Sequence, residues 1–101
     1  MELNASVPFE ALLIEMAEMH RRKSADYTGD DDSLQNFIDS AYLTNLDPQQ
    51  SCEVLLGTKA ARLRVLTQPG REPKNESVRD TKIDRAVYAV LAVELHDRYA
   101  V

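Results

Sequence analysis

Residues 45–66 read NLDPQQSCEVLLGTKAARLRVL, and they contain the signals that end one predicted helix and begin the next. Asp47 is a typical helix N-cap, and Pro48 suits the first helical position, where a missing N–H costs no hydrogen bond. Apolar residues then recur at helical spacing, at Cys52, Leu55, Leu56, Leu63 and Leu66. The stretch therefore predicts a helix over about 48–67.

Three further amphipathic segments share this helical period. They cover about 7–24, 33–44 and 77–98, and their predicted caps are Ser6, Asp32 or Ser33, and Asn75 or Ser77. Long helices joined by short loops are typical of an antiparallel bundle. The sequence therefore predicts an all-α fold, an antiparallel bundle of about four helices, in a single helical domain over residues 1–101.

Length and composition restrict the class of protein. The 101 residues suit one domain, and three glycines and four prolines are too few for the frequent turns of a β-sandwich. With 12 basic and 17 acidic residues, the net charge of −5 disfavours duplex nucleic acid or an anionic membrane as a partner. The single cysteine excludes an intrachain disulfide and favours a reducing cytoplasm. No membrane span and no signal peptide are expected.

Charged residues interrupt the apolar stripes of three predicted helices. They are Lys23 in the first helix, Lys59 and Arg62 in the third, and Glu76, Asp80 and Asp84 along or just before the fourth. Lys59, for example, lies four residues after Leu55 and four before Leu63. Because a charge at a core position is costly unless it is paired, we expect groups of both signs to meet at one polar end of the bundle.

Two interpretations of this polar end remain open. In the first, Lys59 and Arg62 pair with Asp80 and Asp84 in an internal cluster of salt bridges. In the second, the basic side chains hold a phosphate, and the carboxylates bind Mg²⁺ or a basic group of the ligand. No nucleophile and base stand at a recognisable spacing, so no catalytic residue is predicted.

Four motifs, in their order along the chain, resemble small phage proteins of the nucleotide-modification-associated domain 1 type and related phage families. They are Lys23-x-x-Asp26-Tyr27, Asn36-Phe37, Lys59-x-x-Arg62-Leu63 and Asn75-Glu76-Ser77-Val78-x-Asp80-Thr81-x-x-Asp84. The resemblance covers about residues 9–93. It implies a phage-encoded protein of nucleotide metabolism or DNA base modification.

The architecture is also similar to the all-α nucleotide pyrophosphatases of the MazG and dimeric dUTPase type. In those enzymes, acidic pairs on two helices bind Mg²⁺, which activates water to cleave a phosphate bond. Here Lys59-x-x-Arg62 stands where the first acidic pair is expected, and Thr81-x-x-Asp84 where the second is expected. Lys and Arg in place of carboxylates favour an anion such as phosphate as the ligand.

The predicted function is therefore that of a phage-encoded nucleotide-binding protein in the host cytoplasm, acting in nucleotide metabolism, base modification or sequestration of a nucleotide signal. The predicted phosphate ligands are Lys23, Lys59 and Arg62, those for a base or sugar are Tyr27, Asn36 and Tyr88, and those for one Mg²⁺ are Glu76, Asp80 and Asp84. The alternatives are a Mg²⁺-dependent nucleotide pyrophosphohydrolase and a non-catalytic structural or protein-interaction module. A homo-oligomer is expected, because neighbouring copies can close a pocket that one small core leaves open.

Overall fold

Four helices make up the regular structure of the chain. The computed structural model describes residues 1–28, 34–72 and 77–99, with residues 27 and 28 described by their backbone alone. The helices are α1 (Pro8–Thr28), α2 (Gln35–Thr44), α3 (Pro48–Leu66) and α4 (Val78–Tyr99). The described ranges contain no strand, which confirms the all-α prediction, and no helix in them is long and apolar enough to cross a membrane.

The predicted bounds agree with α2, α3 and α4 to within two residues, whereas α1 continues beyond its predicted end at residue 24. The predicted caps Asp32, Ser33 and Asn75 lie outside the described residues. The chain divides into two compact units, Met1–Gln35 and Asn36–Val101. The single domain over residues 1–101 stays a prediction.

In the first unit, Asn4 closes the turn that precedes α1. Its side-chain oxygen accepts hydrogen bonds from the Ser6 backbone N–H at 3.0 Å and from the Ser6 hydroxyl at 2.7 Å. Helical bonding begins one residue later, where the Val7 carbonyl accepts from the Ala11 N–H at 2.9 Å. Val7, whose carbonyl accepts this first bond, holds the N-cap position, so the prediction of Ser6 as the N-cap is wrong by one residue.

In the second unit, a short connection ends α2 and starts α3. Asn45 takes a left-handed conformation with φ of 59°, which lets the Leu46 N–H donate to the Ala41 carbonyl at 3.0 Å and closes the end of α2. Asp47 then caps α3, since its carboxylate accepts from the Gln50 N–H at 2.8 Å while the Gln50 side chain accepts from the Asp47 N–H at 3.0 Å. The predicted start of this helix is confirmed.

Between α3 and α4 the chain makes a turn and then a second cap. The Arg71 N–H donates to the Gln68 carbonyl at 3.2 Å, and Gly70 supplies the positive φ of 78° at the third position of the turn. At the start of α4, the Ser77 hydroxyl accepts from the Asp80 N–H at 2.9 Å. Ser77 is therefore the N-cap of α4, and this confirms one of the two caps predicted for that helix.

α3 and α4 pack against each other and run antiparallel. Cys52, near the start of α3, contacts Tyr88 of α4, and Lys59, two turns later, contacts Asp84, one turn earlier. The buried side chains of this unit are Phe37, Ala41, Ser51, Cys52, Thr81, Ile83, Leu91 and Leu95. Every buried side-chain polar atom in the described residues has a hydrogen-bond partner.

Candidate functional site

Lys59 and Asp84 form an ion pair between α3 and α4. The Lys59 Nζ lies 3.4 Å from the Asp84 Oδ2, and the two side chains are only 14% and 16% exposed. This contact confirms one of the pairings expected for an internal salt-bridge cluster. It also places a positive and a negative group together at one level of the helix pair.

Two aromatic rings complete the surroundings of the Lys59 ammonium. Its Nζ lies 5.7 Å from the centre of the Tyr88 ring, at a distance where a cation is attracted to the negative face of an aromatic ring. The Tyr88 ring in turn meets Phe37 of α2 edge to face, with ring centres 6.0 Å apart and an angle of 81° between the planes. All three helices of the second unit therefore contribute to the position of Lys59.

The helical spacing explains why Asp84 and Tyr88 both reach Lys59. They are four residues apart on α4, so they lie on the same face one turn after another. The 3.4 Å separation of Lys59 and Asp84 is longer than the ~2.7–2.9 Å of a strong charge-assisted hydrogen bond. A lysine ammonium has three N–H donors, so this contact leaves capacity for a further acceptor.

Stability alone is a weak reason for an ion pair at this position. Removing two charges from water is costly, and an apolar pair of similar volume is often equally stable in a protein interior. The Lys59–Asp84 pair is largely shielded from solvent, so it bears part of this cost. A role in binding an anion is one explanation for charges in this place.

The side chains of Lys59, Asp84, Tyr88 and Phe37 form what we call the Lys59 cluster. Cys52 lies two turns before Lys59 on α3 and is fully buried. Its thiol donates to the Tyr88 carbonyl at 3.5 Å. Burial, reinforced by the negative charge of Glu53, raises the pKa of the Cys52 thiol from 9.0 to about 11. The residue therefore acts as an apolar packing group, in agreement with its place on the predicted apolar stripe.

We expect Cys52 to react slowly with a thiol reagent in the folded protein. The thiolate is the reacting form, so the raised pKa lowers its population near neutral pH by about a hundredfold, and burial reduces access further. The rate of labelling in buffer, compared with the rate in urea, measures this protection. Equal rates in the two conditions would contradict the buried position of the thiol.

The same pKa predicts a loss of stability at alkaline pH. Because the folded pKa is raised, the unfolded chain releases the thiol proton first, so the contribution is constant below about pH 9 and falls as the pH rises towards 11. Cys52→Ala removes this contribution. The difference between the pH dependences of unfolding of the two proteins isolates the thiol from the titration of other groups.

The remaining predicted phosphate ligands lie on two different units. Arg62 follows Lys59 by one turn of α3 and is exposed. Lys23 is exposed on α1, in the first unit. The convergence of Lys23 with Lys59 and Arg62 stays a prediction.

Of the two described side chains predicted to contact a base or sugar, Tyr88 lies within the Lys59 cluster. Asn36 is exposed on α2, and the side chain of Tyr27 lies outside the described residues. The neighbour of Asn36, Phe37, is the residue of that motif that enters the cluster. Leu34, Phe37, Ile38 and Ala41 recur at helical spacing along the second predicted helix, and this spacing is the sequence signal that indicates an inward Phe37 side chain.

The predicted Mg²⁺ ligands do not form a complete set in the part of the chain that the structure describes. Glu76 lies outside that part, and no three acidic, histidine or cysteine side chains within it are grouped to hold a metal ion. Asp80 is exposed in the first turn of α4, where a negative charge is favourable, and Asp84 already lies beside the Lys59 cation. The described residues alone therefore supply no complete metal centre, and Mg²⁺ binding that involves Glu76 stays a prediction.

Comparisons of the chain with protein-family models, with curated proteins and with solved structures give no match.

Proposed function

We propose that this chain binds a phosphorylated small molecule, and specifically a nucleotide, through Lys59 and Arg62 of α3. The observation that carries the proposal is the position of the Lys59 ammonium, held between the Asp84 carboxylate and the Tyr88 ring at the boundary of α3 and α4. The order of the sequence motifs, which resembles that of phage proteins of nucleotide metabolism, supports the same ligand class.

In this proposal two side chains bind the phosphate and two others position one of them. Lys59 supplies a positively charged point contact to a phosphate oxygen, and Arg62 supplies a two-pronged contact from one turn further along α3. Asp84 and Tyr88 position the Lys59 side chain and do not themselves bind the phosphate. Because the ammonium is already fixed by these neighbours, binding orders little additional side-chain freedom.

Further contacts extend the proposal beyond the described cluster. Lys23 would add a phosphate contact, Tyr27, Asn36 or Tyr88 would contact the base or sugar, and Glu76 with Asp80 and Asp84 would hold a Mg²⁺ that accompanies the phosphates. We also propose a phage-encoded protein of the host cytoplasm that acts as a homo-oligomer.

The test is calorimetric titration with a panel of nucleoside mono-, di- and triphosphates, with and without Mg²⁺. Arg62→Ala is expected to weaken binding by about tenfold or more, because a hydrogen-bonded charge pair is lost. Arg62 is exposed, so the fold should tolerate this change. Lys82→Ala, which removes one positive charge from the exposed side of α4, is the matched control and should bind normally.

Two outcomes would overturn the proposal. In one, no nucleotide binds to the folded protein under any condition in the panel. In the other, a nucleotide binds but Arg62→Ala and Lys59→Gln leave its affinity unchanged. Circular dichroism of each variant confirms that the helical fold is retained.

The structural alternative is a module in which the charges only fix how the helices pack, and the Lys59–Asp84 contact itself favours it. A thermal-shift screen that shows no stabilisation by any nucleotide would support that function. The pyrophosphohydrolase alternative predicts product formation in the presence of Mg²⁺, lost on chelation. Binding with the nucleotide recovered intact would instead support a non-catalytic binding protein.

A further inference from the structure

α3 carries a second uncharged face, opposite the one that packs against α4. Its residues are all exposed, and they are Val54, Gly57, Thr58, Ala61 and Val65. The two valines at its ends are 58% and 42% exposed. A helix with apolar residues on both sides is typical of one that is packed on both sides.

Two residues in the middle of this outer face of α3 are suited to close contact with another helix. A Cβ added at Gly57 would meet no atom within 4 Å, so packing inside the chain does not require a glycine there. A glycine in a helix interior is destabilising relative to an alanine. The close approach of another helix backbone would explain why a glycine nevertheless stands at position 57. The Thr58 hydroxyl donates to the Val54 carbonyl at 3.1 Å, so it is satisfied within α3 and needs no partner outside it.

The charges beside the outer face of α3 indicate a second copy as its partner. Glu53 and Arg64 are eleven residues apart, close to three helical turns, so both lie along the same edge of the face. When two identical helices pack antiparallel about a two-fold axis, the same edges meet in opposite directions. Glu53 of one copy then lies opposite Arg64 of the other, and Val54 lies opposite Val65.

We propose that the outer face of α3 is the interface of a homodimer, in which the α3 helices of two copies pack antiparallel about a two-fold axis near Gly57 and Ala61. The uncharged face supplies the apolar contact, and the Glu53–Arg64 pairs at its two ends fix the direction. This proposal does not rest on nucleotide binding.

The first experiment measures molecular mass by light scattering over a dilution series. The wild-type chain is expected to approach twice its 11.4 kDa mass at high concentration. Gly57→Leu should raise the dimer dissociation constant by about tenfold or more, since the larger side chain prevents close approach. Ala89→Leu, at an exposed alanine of α4, is the matched control and should leave the dissociation constant unchanged.

The second experiment exchanges the two charges. Glu53→Arg and Arg64→Glu should each raise the dissociation constant by about tenfold, because like charges then meet at both ends of the interface. The double variant should return to within about threefold of the wild type. Within one chain the two positions are roughly 16 Å apart along α3, so such a rescue arises only between copies.

Three results would overturn the proposal. A wild-type mass that stays at 11.4 kDa at every concentration would exclude the dimer. A dimer that is insensitive to Gly57→Leu, or that the double charge exchange does not restore, would place the interface elsewhere. If the outer face of α3 is free in the monomer, Gly57→Leu should stabilise the monomer, because leucine favours a helix more than glycine does. A melting temperature of the monomeric variant below that of the monomeric wild type would instead show that the chain's own residues cover this face.

Discussion

Phe37→Ala is expected to lower the free energy of unfolding by about 3–5 kcal/mol. Phe37 is 3% exposed and meets the Tyr88 ring edge to face, so its removal leaves a cavity where α2 joins the other helices of the second unit. α2 has ten residues, too few to persist as an isolated helix, and its stability depends on this packing. Urea unfolding followed by circular dichroism measures the change.

Tyr42→Ala is the matched control for this change. Tyr42 lies on the same helix but is 88% exposed, so removing its ring should change stability by less than about 0.5 kcal/mol. Phe37→Leu, which keeps an apolar side chain, should cost less than Phe37→Ala. An equal and small effect of Phe37→Ala and Tyr42→Ala would show that α2 is not fixed by the Phe37 contact.

The helix boundaries could be predicted because the groups that set them are close in sequence. Asp47 and Gln50 cap each other across three residues, and Ser77 caps the N–H of Asp80 at the same spacing. The same local chemistry explains the error at α1. The Asn4 side-chain oxygen accepts from both the backbone N–H and the hydroxyl of Ser6, which holds Ser6 in the turn before α1 and leaves the N-cap position to Val7.

The site could be predicted only in part from the sequence, because its contacts join residues that are distant along the chain. The spacing of the charged residues predicts that Lys59 pairs with an acidic residue of α4, but it does not distinguish Asp80 from Asp84. The structure makes the choice, because Asp80 lies in the exposed first turn of α4 and Asp84, one turn later, lies level with Lys59. The approach of Phe37 to Tyr88 depends on how α2 packs on α4, and no local pattern encodes it.

Lys59→Met is expected to lower the free energy of unfolding by about 2–3 kcal/mol, because Asp84, 16% exposed, loses the cation beside its carboxylate. Lys59→Met combined with Asp84→Leu should recover most of this loss, since neither replacement carries a charge into the helix interface. Urea unfolding of the two single variants and the double variant gives the interaction energy of the pair. The control is Glu94–Arg98 on α4, an exposed pair 4.0 Å apart, where the same cycle should give less than about 0.5 kcal/mol.

This cycle also separates the two functions that the Lys59 cluster supports. A double apolar variant that is as stable as the wild type but no longer binds nucleotide would mean that the ion pair serves the ligand, because stability alone would not require it. A double variant that stays as unstable as the single variants, in a protein whose melting temperature no nucleotide changes, would assign the charges to helix packing. The comparison distinguishes these cases because it removes both charges from α3 and α4 together, and so leaves no unpaired group whose cost could be mistaken for a loss of function.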